Sequence, residues 1–214
     1  MAHEPHKSDT TNPRGNTYYV LRHGEAEQNV RNIVYGKPDD NFALTPNGKD
    51  QVKAAAQTLS GITKIYASPV RRARESSEIA AEVLGIPKDA IVFDDRLREF
   101  DFGAYSGRSA IDFTTYRRDN IKTLGDRFPE GESYLDAKKR FGAWLYATDA
   151  ILKQENVLIV SHGIGVESLE CVVKGLSNAE CLDYIRNHLY GYAHLVKLDF
   201  AALPVNGDFE RTTA

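Results

Sequence analysis

The sequence has few cysteines, no long apolar run and no excess of charge of either sign. Its 214 residues include two cysteines, Cys171 and Cys181, separated by nine residues, a spacing that matches neither a zinc knuckle nor a redox pair. We therefore expect two free thiols, buried or half-buried, in a reducing compartment. No apolar stretch approaches the ~20 residues of a transmembrane helix, and polar residues 1–16 contain nothing typical of a signal peptide. The sequence predicts a cytoplasmic protein with no membrane partner.

The balance of charge argues against any partner that is held by a general electrostatic attraction. The chain has 27 Lys and Arg residues against 30 Asp and Glu residues, a net charge of -3. This balance disfavours a nucleic-acid partner and a polybasic membrane protein. An anionic ligand would need a local cluster of basic residues. Apolar residues at 42% and charged residues at 27% are typical of a globular protein, and the length fits one domain.

Short strand-like runs alternate along the chain with segments of helical period. Thr45-Pro46 and Ser68-Pro69 each place an N-cap residue before a proline in the first helical position, and Gly85 ends the second of these helices. The alternation predicts an α/β fold, a three-layer α/β/α sandwich with a mostly parallel central sheet. We expect a flexible N-terminal tail over residues 1–16 and one domain over residues 17–214. The predicted strands are 17–21, 64–67, 91–93, 157–160 and 193–198.

Polar side chains follow directly after four of the predicted strands. Because ligands bind outside the carboxyl ends of the strands in open parallel sheets, we expect the histidines, arginines and Glu99 of these segments to converge on one edge of the sheet. That edge is the predicted site of chemistry. The four segments are Arg22-His23-Gly24-Glu25, Ser68 to Arg74, Leu97 to Gly103, and Ser161-His162-Gly163.

Basic residues at a helix start indicate a bound anion. Arg71, Arg72 and Arg74 fall in the first turn of a predicted helix, where the macrodipole disfavours cations. An anion at the helix N-terminus would offset this; we assign that role to Arg72 and a solvent-exposed position to Arg74. His23 and His162 each precede a glycine that lets a ligand approach the backbone. They suggest a nucleophile and an electrostatic partner for phosphoryl transfer.

A leaving alkoxide in such a reaction needs a proton. Glu99, kept protonated by partial burial, is the predicted donor. Asp101, two residues further on, could do the same, but a role in capping the loop is favoured for it.

The four segments resemble the motifs of the histidine phosphatase superfamily, the phosphoglycerate mutase-like proteins, in the same order and from about Thr17 to Phe200. The resemblance implies an α/β sandwich with a largely parallel sheet, and a catalytic domain over residues 17–214 that uses neither metal nor cofactor. It implies that His23 is the phosphohistidine nucleophile and Glu99 the proton donor. The phosphate pocket would be formed by Arg22, Arg72 and His162. Further substrate contacts would come from Asn29, Gly36, Thr45 and Gly163.

Departures from the mutase pattern favour hydrolysis. Mutases of the family usually carry a longer insertion with a proline cluster, whereas residues 116–129 are short and contain only Pro129. Ile164 stands where mutases tend to have asparagine, and Gly131-Glu132-Ser133 is similar to a phosphatase segment. We expect a phosphomonoester hydrolase that acts on a small phosphorylated metabolite. A cofactor-dependent phosphoglycerate mutase-type phosphotransferase is the alternative.

Two other classes of protein are less well supported by the sequence than a phosphatase or a mutase. Gly163-x-Gly165 faintly resembles a dinucleotide fingerprint, as in a non-catalytic phosphate- or nucleotide-binding module, but Ser168 replaces the third glycine. A metallohydrolase with His23, His162 and Glu99 as ligands is disfavoured because the nearby arginines would repel a cation. Substrate specificity is predicted to lie in the rim of the site. The rim comprises Asn29 to Asn41, Tyr105 to Pro129, Tyr190 and Tyr192.

Overall fold

Five strands form a single sheet in the computed structural model, which describes residues 14–37, 40–200 and 205–212. The strands lie side by side in the order β3-β2-β4-β1-β5. The first four are parallel to their neighbours, and β5 runs antiparallel to β1 at one edge. The predicted, mostly parallel sheet is confirmed. The strands are β1 (Thr17–Arg22), β2 (Lys64–Ala67), β3 (Val92–Phe93), β4 (Asn156–Ser161) and β5 (Leu195–Leu198).

Helices cover both faces of this sheet. Along β4, Leu158 and Val160 pack with buried residues of α2 and α3, while Val157 and Ile159 pack with α5 and α6 on the opposite face. The predicted three-layer arrangement is therefore confirmed. No helix in the described part of the chain is long and apolar enough to cross a bilayer. The helices are α1 (Glu27–Val30), α2 (Pro46–Ala56), α3 (Arg71–Leu84), α4 (Ala110–Asn120), α5 (Tyr134–Ile151), α6 (Gly163–Lys174) and α7 (Asn178–Asn187).

The helix starts agree only in part with the prediction. Thr45 caps α2 as expected, because its Oγ1 accepts a hydrogen bond from the Gly48 amide at 2.9 Å. Helix α3 begins later than predicted, at Arg71, with Val70 rather than Ser68 as its N-cap. Helix α4 was not predicted at all, because Phe113 is its only buried residue and no apolar stripe marks it.

Asn16 belongs to the fold, although the sequence placed it in the tail. Its side-chain amide donates to Asp149 Oδ1 at 2.8 Å and to the carbonyl of Leu152 at 3.1 Å. Its Oδ1 accepts from the Glu155 amide at 3.0 Å. Asn16 is thus tied to the body of the domain before β1 begins. Residues 1–13 of the predicted tail lie outside the described residues.

The prediction of two free thiols is wrong. Cys171 in α6 and Cys181 in α7 form a disulfide across Cα atoms 5.5 Å apart, and both are fully buried. Gly175, in the left-handed region at φ 60°, ends α6 and allows the chain to fold back into α7. The nine intervening residues therefore make one helical hairpin, which their number alone did not indicate. The cysteines therefore no longer support the expectation of a reducing compartment.

Two glycines allow the segment after β1 to contact α2. A Cβ atom on Gly24 would lie 2.2 Å from the carbonyl oxygen of Gly48, and one on Gly48 would lie 1.9 Å from that of Glu25. These neighbours are backbone atoms and cannot rotate away. Gly24 is thus required by packing against α2, and not by the approach of a ligand as predicted.

This contact predicts that Gly24→Ala destabilises the fold. Forcing one extra carbon against backbone should cost about 3 kcal/mol, which lowers Tm by roughly 6–12 °C in a chain of this size. Thermal unfolding followed by circular dichroism measures the change. Gly191→Ala is the matched control, because a Cβ there meets nothing within 4 Å. Equal Tm values for the two variants would contradict the packing argument.

Candidate active site

The tautomer of His23 is fixed by its backbone contact. Its ring lies at the carboxyl end of β1 and is 1% exposed. The Nδ1 atom is 2.7 Å from the carbonyl oxygen of Gly24, and a carbonyl can only accept, so Nδ1 carries the proton. Burial, with the charges of Arg72 and Arg22, lowers the pKa of His23 well below its ordinary value. The ring is therefore neutral and Nε2 holds a lone pair.

The fully buried guanidinium of Arg72 links this lone pair to two carboxylates. Its Nε donates to His23 Nε2 at 3.0 Å, and one terminal nitrogen donates to Glu99 Oε2 at 3.2 Å and to the carbonyl of Tyr35 at 3.3 Å. The other terminal nitrogen forms a buried ion pair with Asp40. Arg72 thus holds His23, Glu99, Asp40 and the Tyr35 carbonyl together, and it lines the cavity beside the imidazole.

Glu99 lies on the loop after β3 and faces His162, at the end of β4. Its Oε2 is 3.4 Å from His162 Nδ1, and its Oε1 accepts from the Phe100 amide at 2.9 Å. Burial raises the pKa of Glu99 above its ordinary value, although the charge of Arg72 opposes this. Glu99 is therefore suited to hold a proton near reacting groups.

His162 is held by Ser68 on its other side. Its Nε2 is 2.8 Å from Ser68 Oγ, and burial, with the Arg72 charge, lowers the pKa of His162 well below its ordinary value. Its ring centroid is 5.2 Å from that of His23. Ser68 was predicted as a helix cap, and the structure instead places it as the residue that orients this second imidazole.

A second guanidinium and the start of α6 complete a basic pocket. Arg22 donates to the carbonyl of Tyr190 and lies with Cζ 4.5 Å from the ring centroid of Tyr192. A Cβ on Gly163, the first residue of α6, would lie 3.6 Å from Arg22 Nε. No side chain caps this helix start, so its amides point toward the pocket and favour an anion.

Four further residues predicted to bind substrate take different places. Asn29 lines the cavity in front of His23, but its Oδ1 accepts from the Ala26 amide at 2.9 Å. Gly163 also lines it. Gly36 and Thr45 do not: a Cβ on Gly36 would lie 1.9 Å from the Phe100 carbonyl oxygen, and the Thr45 hydroxyl donates to Glu25 Oε1 at 2.7 Å and caps α2. Packing and capping account for these two residues, and their roles as substrate contacts stay predictions.

The cavity in front of His23 has a volume of about 380 Å³. Beyond the predicted residues, Gln28, Arg117 and Glu167 contribute polar atoms to its lining. Arg117 lies within the predicted rim, Tyr105 to Pro129. The sequence analysis missed Gln28 and Glu167 because they belong to the helices α1 and α6 rather than to strand ends. Its apolar walls are formed mainly by Ile33, Val34, Phe102, Phe113, Ile164 and Leu189.

The wall around Phe113 is built from stacked aromatic rings. Phe113 of α4 stacks on Phe128 at a centroid distance of 4.9 Å and meets Phe102 edge-on at 5.0 Å. These contacts hold α4 against the body of the protein and close one side of the cavity.

Two sequence features used as functional signals have structural roles. Glu132 accepts from the Asp101 amide at 3.0 Å and from Arg140 at 2.6 Å, and Ser133 caps α5. Gly131-Glu132-Ser133 therefore supports the loop that carries Glu99 and does not separate phosphatases from mutases. A Cβ on Gly165 would lie 2.7 Å from the ring of Phe141, so helix packing accounts for this glycine without a nucleotide.

A metal ion could in principle be held by three of these groups. One potential ligand atom each from His23, Glu99 and His162 lies within 4.8 Å of the others. Arg72 already donates to His23 Nε2 and to Glu99, however. A cation there would lie against the Arg72 guanidinium and would compete with it for the lone pair of His23 Nε2. The charge of Arg72 therefore favours an anion at this place.

Comparison with known proteins agrees with this geometry. The sequence profile of the histidine phosphatase superfamily (branch 1) matches residues 18–202, and the chain belongs to this superfamily. It is 34% identical over 166 residues to a protein of Escherichia coli named "probable phosphoglycerate mutase GpmB", which covers 74% of each chain.

Solved structures share the fold. A mycobacterial glucosyl-3-phosphoglycerate phosphatase in complex with VO3 superposes with a TM-score of 0.72 at 24% identity, over 85% of this chain and 91% of that one. Bacillus stearothermophilus YhfR superposes with a TM-score of 0.70 at 26% identity, over 83% and 87%. The relatives are named as a mutase and as a phosphatase, so the comparisons define the class of enzyme and not which of the two reactions this chain catalyses.

The geometry of Arg72 predicts that it binds an oxyanion. Arg72→Gln should weaken the binding of inorganic phosphate or vanadate about 30–150-fold, since a charge-assisted hydrogen bond contributes about 2–3 kcal/mol. Isothermal titration calorimetry measures the Kd, and thermal unfolding shows whether the variant is folded. Arg74→Gln is the matched control, because Arg74 is exposed and stacks over Phe93 at 3.9 Å. Equal effects of both substitutions would contradict this role of Arg72.

Proposed function

We propose that the protein is a phosphomonoester hydrolase that forms a phosphohistidine on His23. The observation that carries the proposal is the state of His23 Nε2. It is a lone pair on a neutral ring whose other nitrogen is tied to the Gly24 carbonyl, and it faces the Arg72 guanidinium at 3.0 Å. A nucleophile needs such an unprotonated lone pair, and a phosphoryl group needs the cations around it.

In the first step, the oxygens of the substrate phosphate take over the donors of Arg72 and Arg22, which frees the lone pair of His23 Nε2. Nε2 then forms a bond to phosphorus while the bond from phosphorus to the ester oxygen breaks. Glu99 gives its proton to that leaving oxygen, so the product is a neutral alcohol. The positive charge around the site stabilises the charge on the equatorial oxygens.

In the second step, water attacks phosphorus and the bond to His23 Nε2 breaks. The Glu99 carboxylate accepts a proton from the water and is again a carboxylic acid. Inorganic phosphate leaves, and His23 returns to the neutral tautomer. We assign His162, held by Ser68 at 2.8 Å, to orienting the phosphoryl oxygens in both steps.

Hydrolysis is favoured over a mutase reaction by the lining of the cavity. A mutase has to hold an acid that carries two phosphate groups, and this requires a second set of cations. Besides Arg22 and Arg72, Arg117 is the one Lys or Arg among the described lining residues. Ile164 and Phe113 make much of the remaining wall apolar. Such a cavity suits one phosphate group attached to an uncharged organic part.

We propose further that the reaction needs neither metal nor cofactor and that the substrate is a small phosphorylated metabolite. Arg72 supplies at His23 and Glu99 the positive charge that a metal ion would otherwise provide. A volume of about 380 Å³ is typical of a small-molecule site. The cytoplasmic location, and the absence of nucleic-acid and membrane partners, stay predictions from the sequence.

A product assay tests hydrolysis against transfer. With a phosphate ester as the sole substrate, we expect stoichiometric inorganic phosphate; with 3-phosphoglycerate and a bisphosphoglycerate primer, we expect no 2-phosphoglycerate. His23→Ala should abolish turnover, and the wild type alone should acquire an acid-labile phosphoryl group in a rapid quench. Addition of a chelator should leave the rate unchanged. Isomerised phosphoglycerate, or full activity of His23→Ala, would overturn the proposal.

The role of Glu99 predicts a dependence on the leaving group. Glu99→Gln cannot give a proton, so kcat on an alkyl phosphate should fall about 10²–10⁴-fold. An aryl phosphate, whose phenolate leaves without help, should lose less than about tenfold by the same argument. Parallel steady-state kinetics on the two esters measure the difference. Asp101→Asn is the control, since Asp101 accepts from the Gly103 amide and shapes the loop. Equal losses on both esters would argue against proton donation by Glu99.

A further inference from the structure

Two buried side chains in the wall of the active-site cavity carry a polar group that has no protein partner among the described residues. Gln28 in α1 is 3% exposed and Glu167 in α6 is 5% exposed, and both line the cavity. Gln28 Oε1 has no hydrogen-bond partner. Within the described residues, the Glu167 carboxyl makes no hydrogen bond or ion pair. Buried polar groups are normally satisfied, so two orphans on one cavity wall indicate groups that a ligand satisfies.

The proposed chemistry does not use either residue. The nucleophile, the proton donor and the phosphate ligands come from the ends of β1, β2 and β4 and from the Glu99 loop. Gln28 and Glu167 come instead from the helices that border the cavity. Both line the cavity but lie outside the set of groups assigned to the phosphorus.

The surroundings of Glu167 restrict what it can bind. Burial raises the pKa of Glu167 well above its ordinary value, although the charges of Arg117 and Arg22 oppose this. A neutral carboxylic acid offers one O–H donor and one acceptor oxygen. An ammonium group on the ligand would meet the positive charges of Arg117 and Arg22, and a carboxylate could not donate to Gln28 Oε1.

We propose that Gln28 and Glu167 form a second polar subsite that binds hydroxyl groups on the organic part of the phosphate ester. A hydroxyl can donate to the Gln28 carbonyl and accept from the Glu167 carboxyl, which satisfies both orphans. The apolar walls around Phe113 and Ile164 contact the carbon skeleton. The inference rests on the proposed function and narrows its substrate class to polyol or sugar phosphates.

Three esters with a primary phosphate and similar length test this subsite. Glycerol 3-phosphate carries the hydroxyls, n-propyl phosphate lacks them, and O-phosphoethanolamine replaces them by an ammonium group. We expect the wild type to prefer glycerol 3-phosphate over each of the others by about tenfold or more in kcat/KM. Gln28→Leu and Glu167→Leu should each reduce this preference several-fold. Glu167→Gln, which keeps a donor and an acceptor, should retain most of it.

The control is Ser168→Ala, which removes a buried polar atom from the neighbouring position of the same helix but outside the cavity lining. It should leave the preference unchanged, so a general disturbance of α6 is distinguished from loss of the subsite. Should Glu167→Leu fail to fold in a thermal melt, Gln28→Leu and Glu167→Gln still decide the matter. The inference would be overturned if the wild type preferred O-phosphoethanolamine, or if Gln28→Leu kept the full preference for glycerol 3-phosphate.

An aryl phosphate separates this failure from failure of the proposed function. Aryl phosphates have no hydroxyl for the subsite but require His23 and Arg72. No release of phosphate from any ester by the wild type would mean that the proposed function itself is wrong. Release from the aryl ester, with no discrimination between glycerol 3-phosphate and n-propyl phosphate, would overturn the subsite alone.

Discussion

The guanidinium of Arg72 contacts four groups from three separate parts of the chain. It reaches His23 after β1, the Asp40 carboxylate and the Tyr35 carbonyl on the loop before α2, and Glu99 after β3. A buried charge is tolerated only when it is paired and hydrogen-bonded, and here the pairing is shared among these loops. The loops can therefore take their places only together, with Arg72 between them. The same contacts keep one imidazole neutral and surround it with positive charge.

The sheet and its flanking helices could be predicted from sequence because they depend on local pattern. Residues 157–160 are continuously apolar since β4 is buried on both faces, and Thr45-Pro46 marks a helix start by capping. Helix α4 carries no comparable pattern. Helix α7 does: Ser177 and Glu180 form a capping box that the sequence analysis did not use. The disulfide depended on how α7 folds back on α6, which the spacing of the cysteines does not determine.

In the candidate site, too, the residues marked by local sequence pattern could be predicted and the others could not. His23, Arg72, Glu99 and His162 could be predicted to meet because the carboxyl ends of parallel strands lie at one edge of the sheet. The ion pair of Asp40 with Arg72 could not, because it follows from the course of the loop before α2, although Asp40 lies in the predicted rim. Gln28 could not either, because it belongs to the short helix α1 and not to a strand end. Glu167 left a signal, a buried charged residue one turn after the start of a mostly apolar helix. The positions of individual residues could be predicted better than their roles. Gly24 is required by packing against α2, and Ser68 orients the imidazole of His162.

Helix α4 is joined to the body of the protein mainly through aromatic side chains: Phe113, its one buried residue, stacks on Phe128, and Tyr116 packs against Tyr105 and Phe128. Ala110, Thr114 and Arg117 of the same helix line the cavity, while the groups assigned to the reaction come from other elements. The side of the cavity formed by α4 can thus change without a change in the groups that carry out the reaction. Evolution could replace this helix, provided that an aromatic anchor is kept, and so redirect the enzyme to other alcohols while the reaction centre stays intact. Diversification of substrates within such a scaffold would then require no change in chemistry.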